Sequence, residues 1–404
     1  MHSDDIEDRI NKYWAAQFRF VSDVERGMFE RTAVEDGIEE YVSPSVDMSV
    51  AAKWFVCWLD VGFMDCLLRE VFTRYEVVEE RLVPRVRFLA YFCLGRKNFL
   101  KAAYRSLEPE DFFNMGFASV PNYELLRVFV YERIGRERLK TVFDIIIQEV
   151  GRLLAEQGIK FGNRVGEDAT DVPSLKHDKE AEYSGYYKEY GYKVDIVHDL
   201  DQETLPLDYT LLNINDDEGK CLPPTLKRLE SKEIKTEELK VDGKYATYHN
   251  IAFSETQQTR LIYKVQESWV PNEKGTIHEI KRRYQRYHHE PDFKATNDIA
   301  YMLSYLHKKG DYEHVGAYYR NQAMEQYQQN PTEYLQRCNE RSGKTEGIMA
   351  TIKTETILGT RPTKRGWKAF AFTTNISMLA FAFAALIKTQ NHDTQRLGNL
   401  TYIT

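Results

Sequence analysis

Val165-Gly-Glu-Asp-Ala-Thr-Asp-Val172 places Asp168 at the mouth of a short apolar strand, just after a helical run that ends near Gly158. A polar, aspartate-bearing turn is expected next. A second strand comes after it, over Gly191-Tyr-Lys-Val-Asp-Ile-Val-His198, where Tyr192, Val194 and Ile196 alternate with Lys193, Asp195 and Val197. Taken alone, an aspartate before a turn is ordinary turn chemistry, with Asp171 the stand-in should the register differ. Asp168 gains weight only from acidic residues later in the chain.

Leu205 to Ile214 reads as a third strand, joined to the second by a hairpin over His198-Asp-Leu-Asp-Gln-Glu203. Pro223 and Pro224 open a short helix to about Glu230. In Lys240-Val-Asp-Gly-Lys-Tyr-Ala246, Asp242 ends a short strand and Gly243 can turn the chain into a helix. Arg260-Leu-Ile-Tyr-Lys-Val265 supplies one more strand. From about Thr276 to Gln328 the pattern is helical and rich in Lys, Arg, Tyr and His, and His288 and His289 show no metal-ligand spacing with a cysteine. In Arg341-Ser-Gly-Lys-Thr-Glu-Gly-Ile-Met-Ala-Thr-Ile-Lys353, Glu346 and Lys353 stand two helical turns apart and so share a face.

Everything before about residue 158 reads as all-α. Ile6 to about Glu40 is an amphipathic pattern with Tyr13, Trp14, Phe18, Phe20 and Phe29. Residues 51–80 continue it with Trp54, Phe55, Trp58, Phe63 and Leu67, and Pro84 marks a helix start or break. Between Arg81 and Arg105 the chain is cationic, with Arg85, Arg87, Arg96, Lys97 and Lys101 set among Phe88, Tyr91, Phe92 and Phe99. That spacing fits either a helix-turn-helix-like unit with a basic face or a solvated amphipathic helix pair. Pro121 and Asn122 open a further helix, and Glu137 to Gln157 forms another with Leu139, Val142, Phe143, Ile146 and Val150 on one side.

The 404 residues suffice for two or three core-forming units, and a hydrophobic content of 42% supports globular folding. A formal net charge of −7 excludes a uniformly basic nucleic-acid coat, so any polyanion must be met by local patches. Five scattered cysteines suit a reducing cytosol and show no zinc spacing. The acidic Met1 to Asp8 lacks the features of a signal peptide. Ala369 to Ile387 is of membrane length, but Thr373, Thr374, Asn375 and Ser377 favour a buried core helix, so no membrane partner is expected.

Asp168 after one strand, Asp242 after another and Glu346 on a later helix suggest an RNase H-like arrangement. Three carboxylates from separate elements suit a pair of hard divalent cations, Mg²⁺ or Mn²⁺, in phosphodiester chemistry. Glu355 competes with Glu346, but it has no Lys at the same spacing. From about Lys97 onward the chain resembles the DDE-type transposases of prokaryotic insertion sequences. Asp168-Ala-Thr is similar to the segment around the first catalytic Asp. Leu205-Pro-Leu with Asn215-Asp-Asp is similar to the third-strand segment, Val241-Asp-Gly-Lys-Tyr245 to the segment around the second Asp, and Glu346 with Lys353 to the C-terminal Glu signature. This chain departs from the usual pattern in two places. Ser342 stands where an Arg is common, with Arg341 and Tyr334-Leu-Gln-Arg337 displaced, and Gly243-Lys244 reverses the commoner Lys-Gly order.

The resemblance implies an α+β fold: an all-α N-terminal region followed by an RNase H-like mixed-sheet domain with a mainly helical insertion. The expected divisions are 1–80 and 81–158 as helical regions, the second gripping DNA ends, then 159–270 as the first catalytic part, 271–335 as the insertion and 336–404 as the catalytic and packing helices. Asp168, Asp242 and Glu346 would be catalytic and metal-binding. Arg341, Lys344, Lys353, Arg85, Arg96 and Lys97 would contact DNA, and Trp269 and Trp367 would either stack an unpaired base or pack in the core. The implied activity is cleavage at transposon ends followed by strand transfer. Its partners are double-stranded DNA, both terminal inverted repeats and target, and a second copy of the chain in the synaptic complex, in a cytoplasmic, nucleoid-associated setting. A metal-dependent nuclease without strand transfer and a DNA-binding descendant that no longer cuts are the alternatives.

Overall fold

The computed structural model describes residues 53–400 except 54–55, 58, 61–62, 73–78, 96, 98, 176, 203–204, 267, 269, 360–365, 395–396 and 399. The N-terminal amphipathic pattern, Trp54, Phe55, Trp58, Arg96 and Trp269 lie outside the described residues. The described residues fall within one compact unit, Met48–Thr404.

The fold is mixed α+β. Helices α1 (Met64–Glu70), α2 (Glu79–Leu94), α3 (Leu100–Arg105), α4 (Pro109–Asn114), α5 (Tyr123–Val128) and α6 (Leu139–Glu156) precede the sheet. Pro84 lies inside α2 and does not start it. It forfeits the intrahelical bond to the Glu80 carbonyl, four residues back. Along α2 the apolar residues Leu82, Val86, Phe88, Leu89, Tyr91 and Phe92 are buried, whereas Arg81 is exposed, Arg85 is half-buried, and the half-buried Arg87 donates to the carbonyls of Leu59 and Met115. Asn122 accepts a hydrogen bond from the Glu124 amide and starts α5, as its residue type leads one to expect.

Six strands form one sheet: β1 (Arg164–Pro173), β2 (Glu182–Ser184), β3 (Glu189–Asp199), β4 (Pro206–Asn213), β5 (Glu238–Lys240) and β6 (Arg260–Ile262). The order is β2-β3-β1-β5-β6, with β4 also pairing β3. β3 is antiparallel to β1 and to β4, whereas β5 and β6 run parallel to β1. The turn expected directly after Asp168 is absent. β1 stays paired from Val165↔Asp199 to Pro173↔Gly191, which puts Asp168 in mid-strand opposite Ile196. Its acidic residues are tolerated there because each finds a cation or retains a proton.

Between β4 and β5 runs α7 (Leu222–Ser231), and between β5 and β6 runs α8 (Tyr248–Thr256). After β6 come α9 (Glu273–Gln285), α10 (Ile299–Lys308) and α11 (Tyr312–Gln329), which build a second small core around Ile280, Tyr284, Leu303 and Leu306. Two long helices end the fold, α12 (Pro331–Glu355) and α13 (Trp367–Gln390). α13 is long and apolar enough to cross a membrane, yet 89% of its apolar window is buried inside the protein. Of the polar residues in that helix, Asn375 is matched across the core: its side chain accepts from Tyr209 Oη at 2.8 Å and donates to the Arg136 carbonyl at 3.1 Å.

Asp208 of β4 ties the helices to the sheet. Fully buried, it meets Lys140 of α6 at 2.5 Å, Arg228 of α7 at 2.6 Å and Lys232 at 3.1 Å. Burial opposes its charge, but the three cations prevail and hold its carboxyl below the usual range. Removing that one charge leaves Arg228 without a carboxylate partner and Lys140 and Lys232 sharing Asp144 alone, so Asp208→Asn should cost roughly 3–5 kcal/mol in urea unfolding. A cost under about 1 kcal/mol would show that the hub is dispensable.

Candidate functional site

β1 alternates its side chains between the two faces of the sheet, so the adjacent acids Glu167 and Asp168 point in opposite directions. The Asp168 face is crossed by α12. Along its length Tyr334 Oη donates to the Tyr263 carbonyl, Arg337 meets Glu238 of β5, and Glu340 pairs with both Arg164 and Lys240. At the next residue, Arg341 Nη1 reaches Asp168 Oδ2 at 2.8 Å. Thr345 Oγ1 then lies 2.9 Å from His198 Nε2, Lys344 donates to the Leu200 carbonyl, and Lys353 meets Asp171 at 3.1 Å.

Gly166 allows this close approach. A Cβ there would lie 2.8 Å from His198 Nε2 and 3.4 Å from Arg341 Cγ. His198 is fully buried, and burial, reinforced by the positive charges of Arg341 and Lys344, lowers its pKa to about 4. It is therefore neutral at physiological pH and can share a hydrogen with the Thr345 hydroxyl.

The second element reaching Asp168 is the turn after β5. Asp242 caps it, accepting from the Gly243 amide at 2.7 Å. Lys244 extends towards Asp168 Oδ1 at 3.7 Å and pairs with Glu218. Burial works against the Lys244 charge, but Glu218, Asp168 and Asp242 together raise its pKa. Glu218 also meets Lys193 at 2.5 Å, and its two lysines outweigh burial and hold its carboxyl below the usual range.

The structure thus gathers Asp168, Arg341, Lys244 and Glu218, with Asp242 adjoining through Lys244. Glu346 is exposed on α12, next to Thr345 and one helical face away from the sheet. Arg85, half-buried in α2, lies near Arg81 and Arg133, and Lys97 is half-buried nearby in sequence. Trp367 packs edge-on to Tyr192 and Phe370, with ring centroids 5.7 Å and 5.4 Å away. Among the described residues no three His, Cys, Asp or Glu side chains converge as a metal-holding group. Carboxylate oxygens are the right donors for Mg²⁺ or Mn²⁺, but Asp168 is already matched by two cations. The arrangement as it stands does not form a divalent-ion cradle.

Glu218, Lys244, His198 and Thr345 do not stand out as site residues in the sequence. The signal for Glu218 was present in the acidic run Asp216-Asp-Glu218 after the third strand. Nothing local marks His198, whose role depends on a helix more than a hundred residues away.

On the opposite face, Glu167 and Asp195 form a buried acid pair across β1 and β3, and Tyr245 Oη donates to Asp195. Burial and then Asp195 raise the Glu167 pKa well above the carboxylate range, and burial pushes Asp195 up to about 7. The pair therefore keeps a proton in the folded chain.

No protein family matches the chain, and no curated protein matches it. Among solved structures, piggyBac transposase in a synaptic complex with hairpin DNA aligns with a TM-score of 0.38 and 10% identity, over 90% of this chain and 79% of that one. A likeness this slight assigns neither fold nor activity.

The acid pair predicts a pH dependence. Both carboxyls are raised on folding, so their contribution to stability is fully present below the unfolded range near ~4 and is lost as pH climbs through the folded values, about 7 for Asp195. Urea unfolding at pH 5 and pH 8 should show a weaker fold at pH 8 and a smaller difference in Glu167→Gln. An unchanged difference in that variant would remove the pair as its source.

Proposed function

We propose that the chain is a DNA transposase of the DDE type, with Asp168, Asp242 and Glu346 as its catalytic carboxylates in an RNase H-like domain. One observation carries the reading. Asp168 stands on the central strand β1, Asp242 follows the parallel neighbour β5, and Glu346 rides the helix that crosses β1. An antiparallel β1-β3-β4 unit continued by parallel β5 and β6 is the strand plan that such a domain requires.

Two divalent ions, Mg²⁺ or Mn²⁺, belong to the proposal as cofactors; they would have to displace the cations now paired with Asp168, and would then supply charge for the leaving oxygen. The chain's own cations have a separate part. Arg341 and Lys244 hold Asp168 at a fixed place on the sheet, and Lys344 and Lys353 line the same helix, where they can meet the phosphates of a bound strand. Cleavage at terminal inverted repeats, strand transfer into target DNA, pairing of two copies for synapsis and a cytoplasmic, nucleoid-associated setting complete the proposal.

A second reading is favoured by the ion pairs on Asp168: a descendant that binds DNA without cutting it, since a carboxylate so neutralised resembles a structural one. Incubating the purified chain with Mn²⁺ or Mg²⁺ and DNA carrying its flanking repeats separates the two. The transposase reading expects nicked and joined products that fall by at least ~100-fold in Asp168→Ala. Binding without cleavage supports the descendant, nicking without joining supports a nuclease, and full cleavage by Asp168→Ala removes the assigned site.

A further inference from the structure

Away from the carboxylates, the helical region carries a groove of about 780 Å³ between α3, α5 and the segment just after α5. Three aromatic rings, Phe99, Tyr123 and Tyr131, share it with the cations Lys101, Arg105 and Arg136. Among the described residues none of those lining it is acidic, which stands out in a chain of net charge −7. Arg127 also reaches the groove, but Glu124 and Glu132 hold it, each at 2.7 Å.

The cations are arranged over rings. Lys101 Nζ lies 6.0 Å from the centroid of Tyr123, and the Arg136 guanidinium lies 5.5 Å from that of Tyr131. Phe99 is 41% exposed at the rim, and Lys101, Arg105 and Arg136 are exposed. A second feature marks the same wall. The chain runs as a π-helix from Phe129 to Gly135 and then as a 3₁₀ turn from Arg136 to Arg138, with Gly135 at φ 77°. Wide π turns are uncommon and concentrate at functional sites. Here the irregular backbone presents Tyr131 and Arg136 to one cavity, and Asn375 of α13 fixes it by donating to the Arg136 carbonyl.

Rings set beside cations in a groove lined by no acid suit a polyanion whose bases are free to stack. A duplex hides its bases and needs only the charges, so the rings favour an unpaired strand. We infer that this groove holds a single-stranded segment of DNA, its bases on Phe99, Tyr123 and Tyr131 and its phosphates on Lys101, Arg105 and Arg136. The inference rests on the DNA-processing reading above and adds a site remote from the Asp168 face.

Fluorescence anisotropy of a labelled oligothymidylate of about 12 nucleotides, titrated with the full chain, tests it. Binding should weaken as salt rises, and Phe99→Ala and Arg105→Glu should each reduce affinity by roughly 10-fold or more. Both side chains are at the surface, so an unchanged thermal midpoint should accompany the loss. Wild-type affinity in both variants, or no binding by the wild type at low salt, overturns the inference. The outcome is independent of cleavage: strand cutting with unaffected groove variants sinks this site alone, whereas loss of single-strand binding in the variants of a chain that cuts nothing upholds the groove and counts against the transposase.

Discussion

The contact between Arg341 and Asp168 is the constraint on which the arrangement of the site depends. It fixes where a 25-residue helix lies on the sheet, and therefore which of its faces looks at β1. The pair is possible because Gly166 has no side chain, which lets His198, Thr345 and the Arg341 stem pack against bare backbone. Lys244 closes the other side of the carboxylate. A partly exposed ion pair has little value for stability on its own, typically ~0.2–1 kcal/mol. Its importance is positional: it sets the register of α12 against the strand.

The two faces of β1 solve the same electrostatic problem differently. Asp168 sits beside cations supplied by distant elements. Glu167, one residue earlier, is buried with Asp195, where a second negative charge is untenable and a proton is retained. Beyond them Asp208 takes a third course, with three cations around one buried carboxylate. The central sheet is thus unusually acidic for a core, and each acid is reconciled with burial by its own device.

Much of the fold was legible because it is local. Alternation gave β3 and β4, the Asn122 cap and the apolar face of α6 were written in residue type, and the polar residues within α13 argued correctly for a buried helix. The continuation of β1 through Asp171 was not legible, because three acids in eight residues read as a turn until Arg341, Lys353 and Lys244 arrive from elsewhere. Pro84, read as a helix start or break, instead lies within α2, where the packing of Val86, Phe88, Leu89 and Phe92 outweighs the local signal. At the site, Asp242 does follow a strand end, but Asp168 lies in mid-strand, and the positions of His198 and Glu218 depend on contacts that no spacing encodes.

The central claim is that divalent ions can displace Arg341 and Lys244 from Asp168. Mn²⁺ titrated into the full chain and followed by electron paramagnetic resonance measures this directly, without need of a DNA substrate. The account predicts that the wild type removes free Mn²⁺ from the spectrum and that Asp168→Asn loses this capacity while remaining folded. Equal Mn²⁺ uptake by both proteins, or none by the wild type, would contradict it and leave Asp168 as a structural partner of Arg341.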